Sequence, residues 1–345
     1  MIDNVTFPLL TIAIPTWNRA TFLALNLEQL AQEGRNCWGE VDVLVCDNAS
    51  SDGTPQVLAD AIAGGMPVRY IRNTENIGSD ANIAQCFNFS LGKYVLILGD
   101  DDLLVDGALS FLLERLATGA YGVVCLRPYG FESCFRKEYP GTGGRERIFR
   151  DAGAFLAAIG PLMTLISSCV INKGLLSQID ARQFCDDNLV HVHLVLRAAL
   201  AAEENLFVDR YLMACKRNNS GGYDFSKVFV SNLGTVLDSC KSLELTESAI
   251  RAIERRLMLA YYPFYLLRQR LSKSGDLNAT FARFDKRFHG RPLFKYWLTP
   301  IMRLPRPLGI FWGSMAILIG RALNGDLRRG IAFVWNRVVS KGRGA

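Results

Sequence analysis

Three adjacent carboxylates close an apolar run in the first third of the chain, where Tyr94-Val95-Leu96-Ile97-Leu98-Gly99 leads into Asp100, Asp101 and Asp102. Like charges a few ångströms apart raise one another's pKa unless a cation neutralises them. A hard divalent ion, Mg2+ or Mn2+, with oxygen ligands and a bound diphosphate, meets that need. The plainer alternative is a solvated turn whose aspartates cap the next helix, since Asp106-Gly107 also fits a helix start. Three more polar clusters repeat the arrangement. Pro15-Thr16-Trp17-Asn18-Arg19 follows the apolar residues 9–14, Asp47-Asn48-Ala49-Ser50-Ser51-Asp52-Gly53-Thr54 follows residues 41–46, and Asn76-Ile77-Gly78 follows residues 68–71. Taken singly, each reads as an ordinary turn or helix cap.

The elements that position these clusters alternate in type. Residues 9–14 form a continuous apolar run ended by Pro15, the pattern of a strand buried on both faces. Helical spacing follows through Phe22, Leu23, Leu27 and Leu30. Strands are expected over 41–46, 68–71 and 94–98, with helices starting near Asp52 and Ser79. Strand–helix alternation with short connections predicts a parallel sheet with right-handed crossovers, and ligands in such sheets sit beyond the carboxyl ends of strands. Every cluster named above lies at such an end. Further on, strands are expected over 123–126, 165–171 and 205–214, a loop over 132–147, a helix over 189–200, and two or three helices over 225–290. A domain boundary is expected near 225, dividing residues 1–225 (a first half to about 130 and a second half from 131) from a helical region 226–345.

Composition bounds the remainder. The chain has 345 residues, half of them apolar, which supports a sizeable core and excludes a disordered or fibrous class. The nine cysteines contain no C-x-x-C pair, so reduced thiols fit better than a disulfide framework or a zinc site. Met1-Ile2-Asp3-Asn4 lacks the basic and apolar regions of a signal peptide. The longest late uncharged stretch, residues 307–320, falls short of the ~18–20 residues that cross hydrocarbon. Thirteen of the 39 Lys and Arg residues fall in residues 281–345 beside only two acids, Asp285 and Asp326, so this tail carries +11 and the rest −5. With Phe294, Trp297, Phe311, Trp312, Phe333 and Trp335 among those charges, the tail has the composition of a segment lying on an anionic membrane surface. The competing expectation is a helical hairpin packed on the rest of the protein through Phe311, Met315 and Leu318. No nucleic-acid motif accompanies the charge.

In this order and at these intervals, PTWNR, DNASSDGT, NTENIG and LILGDDD resemble the family 2 glycosyltransferases of the GT-A fold. The resemblance covers residues 8–130 closely and 131–225 loosely. A narrower likeness, to O-antigen sugar transferases similar to abequosyltransferases, rests on Asp186-Asp187-Asn188-Leu189-Val190-His191-Val192-His193-Leu194 and on Lys216-Arg217-Asn218-Asn219-Ser220.

The resemblance implies an α/β fold with a mostly parallel sheet and a helical, basic C-terminal extension. It implies a donor half over 1–130, an acceptor half over 131–225, and transfer of a sugar from a nucleoside diphosphate to a glycan hydroxyl in surface-polysaccharide synthesis, with inversion. Pro15, Thr16, Asn18 and Arg19 would line the nucleotide, Asp47 would read the base edge, and Asn76 and Gly78 would complete that side. Asp101 would face the ribose and Asp102 would hold the Mg2+ or Mn2+ that bridges the diphosphate. Gly99 stands where the family's Asp-x-Asp-Asp pattern begins, which leaves Asp100 as an accessory ligand or a turn residue. Arg217 or Lys216 would add a second positive contact, on a loop, residues 218–222, with the composition of a lid. The general base would be Asp187 or Asp186, helix N-capping being their alternative. His191, four residues on from Asp187, would share its helix face and orient it, reach the metal, or else serve as a core histidine, while His193 would point elsewhere. The implied acceptor is a lipid-diphosphate-linked glycan, at the cytoplasmic face of the inner membrane. The other reading is a non-catalytic nucleotide- or carbohydrate-binding protein on a decayed scaffold.

Overall fold

The unbroken apolar runs become the centre of a sheet. In the computed structural model, which describes residues 7–141, 143–217, 222–272 and 275–323, β1 (Leu10–Thr16) is followed by helix α1 (Ala20–Gly34), and β2 (Val41–Asp47) is buried along its whole length. The two strands pair in parallel, Leu10 with Val41 through Thr16 with Asp47. α1 lays Leu23, Leu27 and Leu30 against them. Helix α2 (Thr54–Ala63), with Pro55 in its first turn, returns the chain to β3 (Val68–Arg72), parallel to β2. Helix α3 (Ser79–Phe89) leads to β4 (Tyr94–Ile97), parallel to β1 on its other side. Parallel strands with helical crossovers bring all four carboxyl ends to one rim.

The remaining elements widen this layer. They are β5 (Leu103–Leu104), α4 (Ala108–Thr118), β6 (Tyr121–Phe131), β7 (Glu146–Phe149), α5 (Ala152–Ile159), β8 (Cys169–Asn172), α6 (Val190–Leu200) and β9 (Glu204–Lys216). The sheet runs β3-β2-β1-β4-β8-β6-β9-β5, with β7 also on β9. β8 is antiparallel to both β4 and β6. Its amino end therefore lies at the rim where β4 has its carboxyl end. β6 and β9 are parallel, and their register shifts at three points: Leu126 pairs with Val208, and Phe131 with Lys216, so five steps of β6 match eight of β9.

Three details depart from the sequence-based expectation. Over 165–171 only the end is strand; two short 3-10 turns, Gly160–Thr164 and Ile166–Ser168, come first. Ser168 Oγ bonds back to the carbonyls of Leu162 and Leu165, the local competition by which serine displaces a ladder. β7 lies at the end of the stretch expected to be loop; its exposed residues give no apolar alternation to read. Past residue 225 the described residues form four α-helices before 290, not two or three: α7 (Leu233–Ser239), α8 (Glu247–Ala260), α9 (Tyr262–Ser272) and α10 (Leu277–Phe288).

The chain divides into two compact units, one of Met1–Gly221 with Ser242–Glu244, the other of Gly222–Lys241 with Leu245–Ala345. The second is helical and ends, among the described residues, in α11 (Thr299–Arg303) and α12 (Arg306–Leu323). Tyr262, Phe284, Phe288 and Phe294 form its core, and buried Glu254 pairs with Arg287 at 2.7 Å and Arg291 at 2.5 Å. No helix among the described residues is long and apolar enough to cross a membrane. Phe333, Trp335 and the other tail residues from 324 on lie outside the described residues, and all nine cysteines, which lie within them, are free thiols.

Candidate functional site

The β1 and β4 rim loops meet. Thr16 Oγ1 donates to Asp100 Oδ2 at 2.8 Å. Arg19, next to Asn18 in its left-handed conformation (φ 55°), reaches both leading carboxylates: Nε lies 2.8 Å from Asp100 Oδ1 and Nη2 lies 2.7 Å from Asp101 Oδ2. Burial nevertheless pushes the Asp100 carboxyl up to about 7, against the pull of Arg19. A cavity of about 200 Å3 opens beside Asp101, with Phe22, Phe131, Arg136 and Lys216 in its wall. Pro15, the second-last residue of β1, pairs with Cys46 of β2.

Asp102 is held by groups from three other segments. Ser167 Oγ donates to its Oδ2 at 2.6 Å, the Lys216 N–H reaches its Oδ1 at 3.3 Å, and Asn26 Nδ2 on α1 donates to its carbonyl at 2.6 Å and to that of Gly99 at 3.2 Å. Burial first, then Asp101, pushes its carboxyl up to about 7. A Cβ on Gly99 would come within 3.2–3.3 Å of Asp101 Oδ1, Asp102 Oδ2 and Ser167 Oγ. A fourth carboxylate there would face two others across a filled space, which accounts for glycine at the position.

The β2 loop closes the neighbouring side. Asp47 is fully buried; it accepts from the Ser50 N–H and the Tyr70 hydroxyl at 2.8 Å each, and Arg72 Nε lies 3.5 Å away. Burial, with that bond, pushes the Tyr70 hydroxyl up to about 12. Asp47, expected to read a base edge, is enclosed here: no part of its side chain reaches solvent, and its bonds anchor the loop. Asn48 is the hub beside it. Its Nδ2 donates to Asn76 Oδ1 at 2.8 Å and to the Gly78 carbonyl at 3.2 Å, and its Oδ1 accepts from Asn73 Nδ2 and the Ile77 N–H. Asn76 and Gly78 (φ 87°) thus open α3 as a turn fixed on Asn48. Asn18 is tied to the same loop through Ser50 Oγ and the Ser51 N–H.

Asp186 and Asp187 precede α6 in a turn with two left-handed residues, Asp186 (φ 85°) and Asn188 (φ 63°), whose N–H groups both donate to Asp80 on α3. Burial raises the Asp80 carboxyl. Asp187 Oδ1 accepts the Leu189 N–H, and His193 Nε2 meets Asp187 Oδ2 at 2.8 Å. Phe184 stacks on the His193 ring at 4.5 Å, and Arg197 covers the same Phe184 ring at 4.3 Å. His193 therefore supplies the imidazole that bonds Asp187, while the His191 ring turns to another group. The helix starts at Val190, so the four-residue spacing from Asp187 does not apply. His191 is buried with Nε2 on the Thr164 carbonyl, and burial pushes its imidazole down to about 4, so it is a neutral core group.

The Arg217 side chain lies against Gly130, with Nη1 3.9 Å from Glu138 Oε2. Lys216 Nζ turns to the Glu132 carbonyl, so only the backbone of this pair serves Asp102. Residues 218–221 of the expected lid lie outside the described residues. Sequence reasoning missed Ser167, Asn48, Asn26 and His193. Only Asn26 left a signal, as a polar residue at a core-facing position of α1 beside Leu23, Leu27 and Leu30.

The donor set suits a cation shared with a ligand better than a closed cage. Among the described residues no cluster of three or more His, Cys, Asp or Glu forms a ready metal site, and no lysine or arginine side chain pairs with Asp102. A buried carboxylate with a raised pKa and no cationic partner retains capacity for a divalent ion completed by phosphate oxygens and water.

Residues 11–179 match the family model described as Glycosyl transferase family 2. Among curated proteins, abequosyltransferase RfbV of Salmonella typhimurium strain LT2 is 33% identical over 122 residues, covering 34% of this chain and 36% of that protein. GalNAc(5)-diNAcBac-PP-undecaprenol beta-1,3-glucosyltransferase of Campylobacter jejuni is 27% identical over 137 residues, 39% of this chain and 43% of that protein. The chain thus spans well under half the length of these curated relatives. Among solved structures, S. aureus TarS 1–349 in complex with UDP-GlcNAc shares the fold with a TM-score of 0.59 at 13% identity, over 93% of this chain and 92% of that one. Mannosyltransferase PcManGT from Pyrobaculum calidifontis, in complex with GDP-Man and Mn2+, gives 0.51 at 16% identity over 91% and 88%.

Proposed function

Since residues 11–179 of this chain form a family 2 glycosyltransferase domain of the GT-A fold, we propose that the rim formed by the β1, β2 and β4 loops binds a nucleoside-diphosphate sugar and transfers the sugar, with inversion, to a glycan hydroxyl in surface-polysaccharide synthesis. The observation that carries this is the pairing of Arg19 with both Asp100 and Asp101 beside an Asp102 that has no cationic side-chain partner among the described residues. The acceptor is proposed to be a glycan on a lipid diphosphate, met at the cytoplasmic face of the membrane; the Campylobacter relative is named for an undecaprenol-linked acceptor.

Asp102, steadied by Ser167 and the Lys216 N–H, would hold Mg2+ or Mn2+ with Asp101 beside it. When bound, that ion supplies charge stabilisation for the departing diphosphate. The chain's own residues do the rest. Thr16 and Arg19 fix Asp100 and Asp101, so the triplet's repulsion is partly compensated before the donor arrives. Asn48, through Asn76 and Gly78, holds the β2–α3 side of the rim. Asp187, oriented by His193, accepts the acceptor hydroxyl proton as that oxygen bonds to the sugar's anomeric carbon. The anomeric carbon–oxygen bond breaks, and its electron pair leaves with the nucleoside diphosphate.

Donor hydrolysis and thermal shift across uridine, guanosine and cytidine diphosphate sugars, with and without Mn2+, test the reading. One donor should be turned over only with Mn2+ or Mg2+, and Asp102→Asn should abolish it. Binding without turnover of any donor, unaffected by Asp102→Asn, points instead to a non-catalytic binding protein.

A further inference from the structure

Helix α12 packs with its small residues inward. Ala316 is buried, and glycines continue its line at 309, 313 and 320. A Cβ on Gly309 would meet the Ile301 carbonyl at 2.9 Å, one on Gly313 would meet Leu267 at 3.2 Å, and one on Gly320 would meet the Leu259 carbonyl at 2.5 Å. This stripe brings α12 against α8, α9 and α11 at a distance that admits no larger side chain. The large apolar residues are left outside: Leu308, Phe311, Trp312, Met315, Leu318 and Ile319 are 37–65% exposed. At 100° per residue these six fall within about 120° of arc, and at 1.5 Å per residue they extend about 17 Å along the helix. A helix bathed in water on that side would carry polar residues there. Close packing through glycine and alanine, with large apolar side chains outward, is the arrangement of helices that face lipid.

The charges around the stripe select the kind of lipid surface. Residues 290–323 contain Arg291, Lys295, Arg303, Arg306 and Arg321 and no Asp or Glu. At the amino end of the stripe Arg303, bonded to Asn278 and lying over Phe281, and Arg306, bonded to the Arg270 and Leu271 carbonyls, remain exposed, as does Arg321 at its carboxyl end. The indole N–H of Trp312 is satisfied internally by the Trp297 carbonyl at 3.1 Å, so its ring can leave water without stranding a donor. A second copy of the chain paired on this face would bring two acid-free basic sets together, whereas anionic headgroups complement them.

We infer that the outward face of α12 is a membrane-docking surface. Its apolar stripe lies in the plane of an anionic bilayer at the headgroup–acyl boundary, with the flanking arginines on lipid phosphates. The helix rests in the interface and does not span it. This deepens the lipid-linked acceptor reading but rests on α12 alone.

The test is flotation of the full-length protein with phosphatidylglycerol–phosphatidylcholine vesicles and with phosphatidylcholine alone, at low and high salt, with no donor present. Vesicle binding is expected with the anionic mixture, reduced by salt. The double variant Phe311→Ser/Leu318→Ser should lower it by about tenfold even though residues 324–345 are intact, and Arg303→Gln/Arg306→Gln should weaken it and flatten the salt dependence. For Phe311→Ser/Leu318→Ser, melting temperature and donor hydrolysis, measured on the same samples, should be unchanged. A wild-type protein that does not float, or a double variant that floats equally well, overturns the proposal. A wild-type dimer that Phe311→Ser/Leu318→Ser makes monomeric, with vesicle binding untouched, overturns it in favour of self-association. Loss of donor hydrolysis is scored separately and bears only on the transferase reading.

Discussion

Ser167 Oγ stands between Gly99 and Asp102, accepting the Gly99 N–H at 2.9 Å and donating to Asp102 Oδ2 at 2.6 Å. One hydroxyl therefore fixes both the turn that follows β4 and the carboxylate at its end. Ser167→Ala removes a donor to a buried carboxylate, so chemical denaturation should show a loss of about 1–2 kcal/mol. Half-maximal Mn2+ for donor hydrolysis should rise in the same variant, because an unsupported Asp102 binds protons more readily. An unchanged Mn2+ requirement would separate Ser167 from the site.

The raised carboxyls of Asp100 and Asp102 give stability a pH dependence of defined sign. Their folded pKa values, about 7 each, lie above the unfolded 3.8, so the folded state holds protons that the unfolded state has lost. Their contribution is full below pH 3.8 and is lost as pH rises toward and through 7. Asp102→Asn, which keeps the shape and cannot ionise, should gain melting temperature relative to wild type on going from pH 5 to pH 8, on the order of 5 °C. Equal differences at both pH values would show that Asp102 is already neutralised within the chain.

His191 gives the opposite sign. Its folded pKa of about 4 lies below the unfolded 6.5, so its stabilising contribution is present above pH 6.5 and disappears as pH falls toward 4. The loss amounts to about 3 kcal/mol at most. His191→Gln, with an amide that can still meet the Thr164 carbonyl, should flatten the unfolding free-energy profile between pH 6.5 and 4. A profile as steep as wild type would assign that acid limb to other groups.

His193 is expected to act through Asp187. His193→Ala should lower kcat by about tenfold to a hundredfold with little change in donor KM, and should move the acidic limb of the kcat–pH profile, where the base loses its proton. His193→Gln, which can still donate to Asp187 Oδ2, should recover part of the rate. Equal loss in both variants, with a lowered melting temperature and an unmoved pH profile, would make His193 merely part of the packing around Phe184.

The part of the molecule legible in the sequence is the part where burial is two-sided and loops are short. β1, β2 and β4 are nearly unbroken apolar runs, and Pro15, Asp47 and the Asp100–Asp102 triplet mark where each meets the rim. Ser167 was not legible because β8 runs antiparallel: it delivers to the rim the residues before the strand, whereas in parallel strands the polar clusters come after. The His193 pairing was hidden by a helix start three residues past Asp187, which replaces helical spacing with a turn containing left-handed residues. Asp47 stood out correctly as a rim residue, but nothing in a linear pattern shows that Tyr70 and Ser50 enclose it.

The mismatch between β6 and β9 has a mechanical consequence. Over the stretch where β6 advances five residues, β9 spends eight, so three are absorbed as bulges between Val208 and Met213. These surplus residues act as a spacer that sets how far the strand's tip extends, and the tip is the Lys216 N–H on Asp102. Deleting one of them would retract the tip by about 3.3 Å and swap the faces of every residue beyond it. The reach of the acidic corner is thus gauged by slack stored half a strand away.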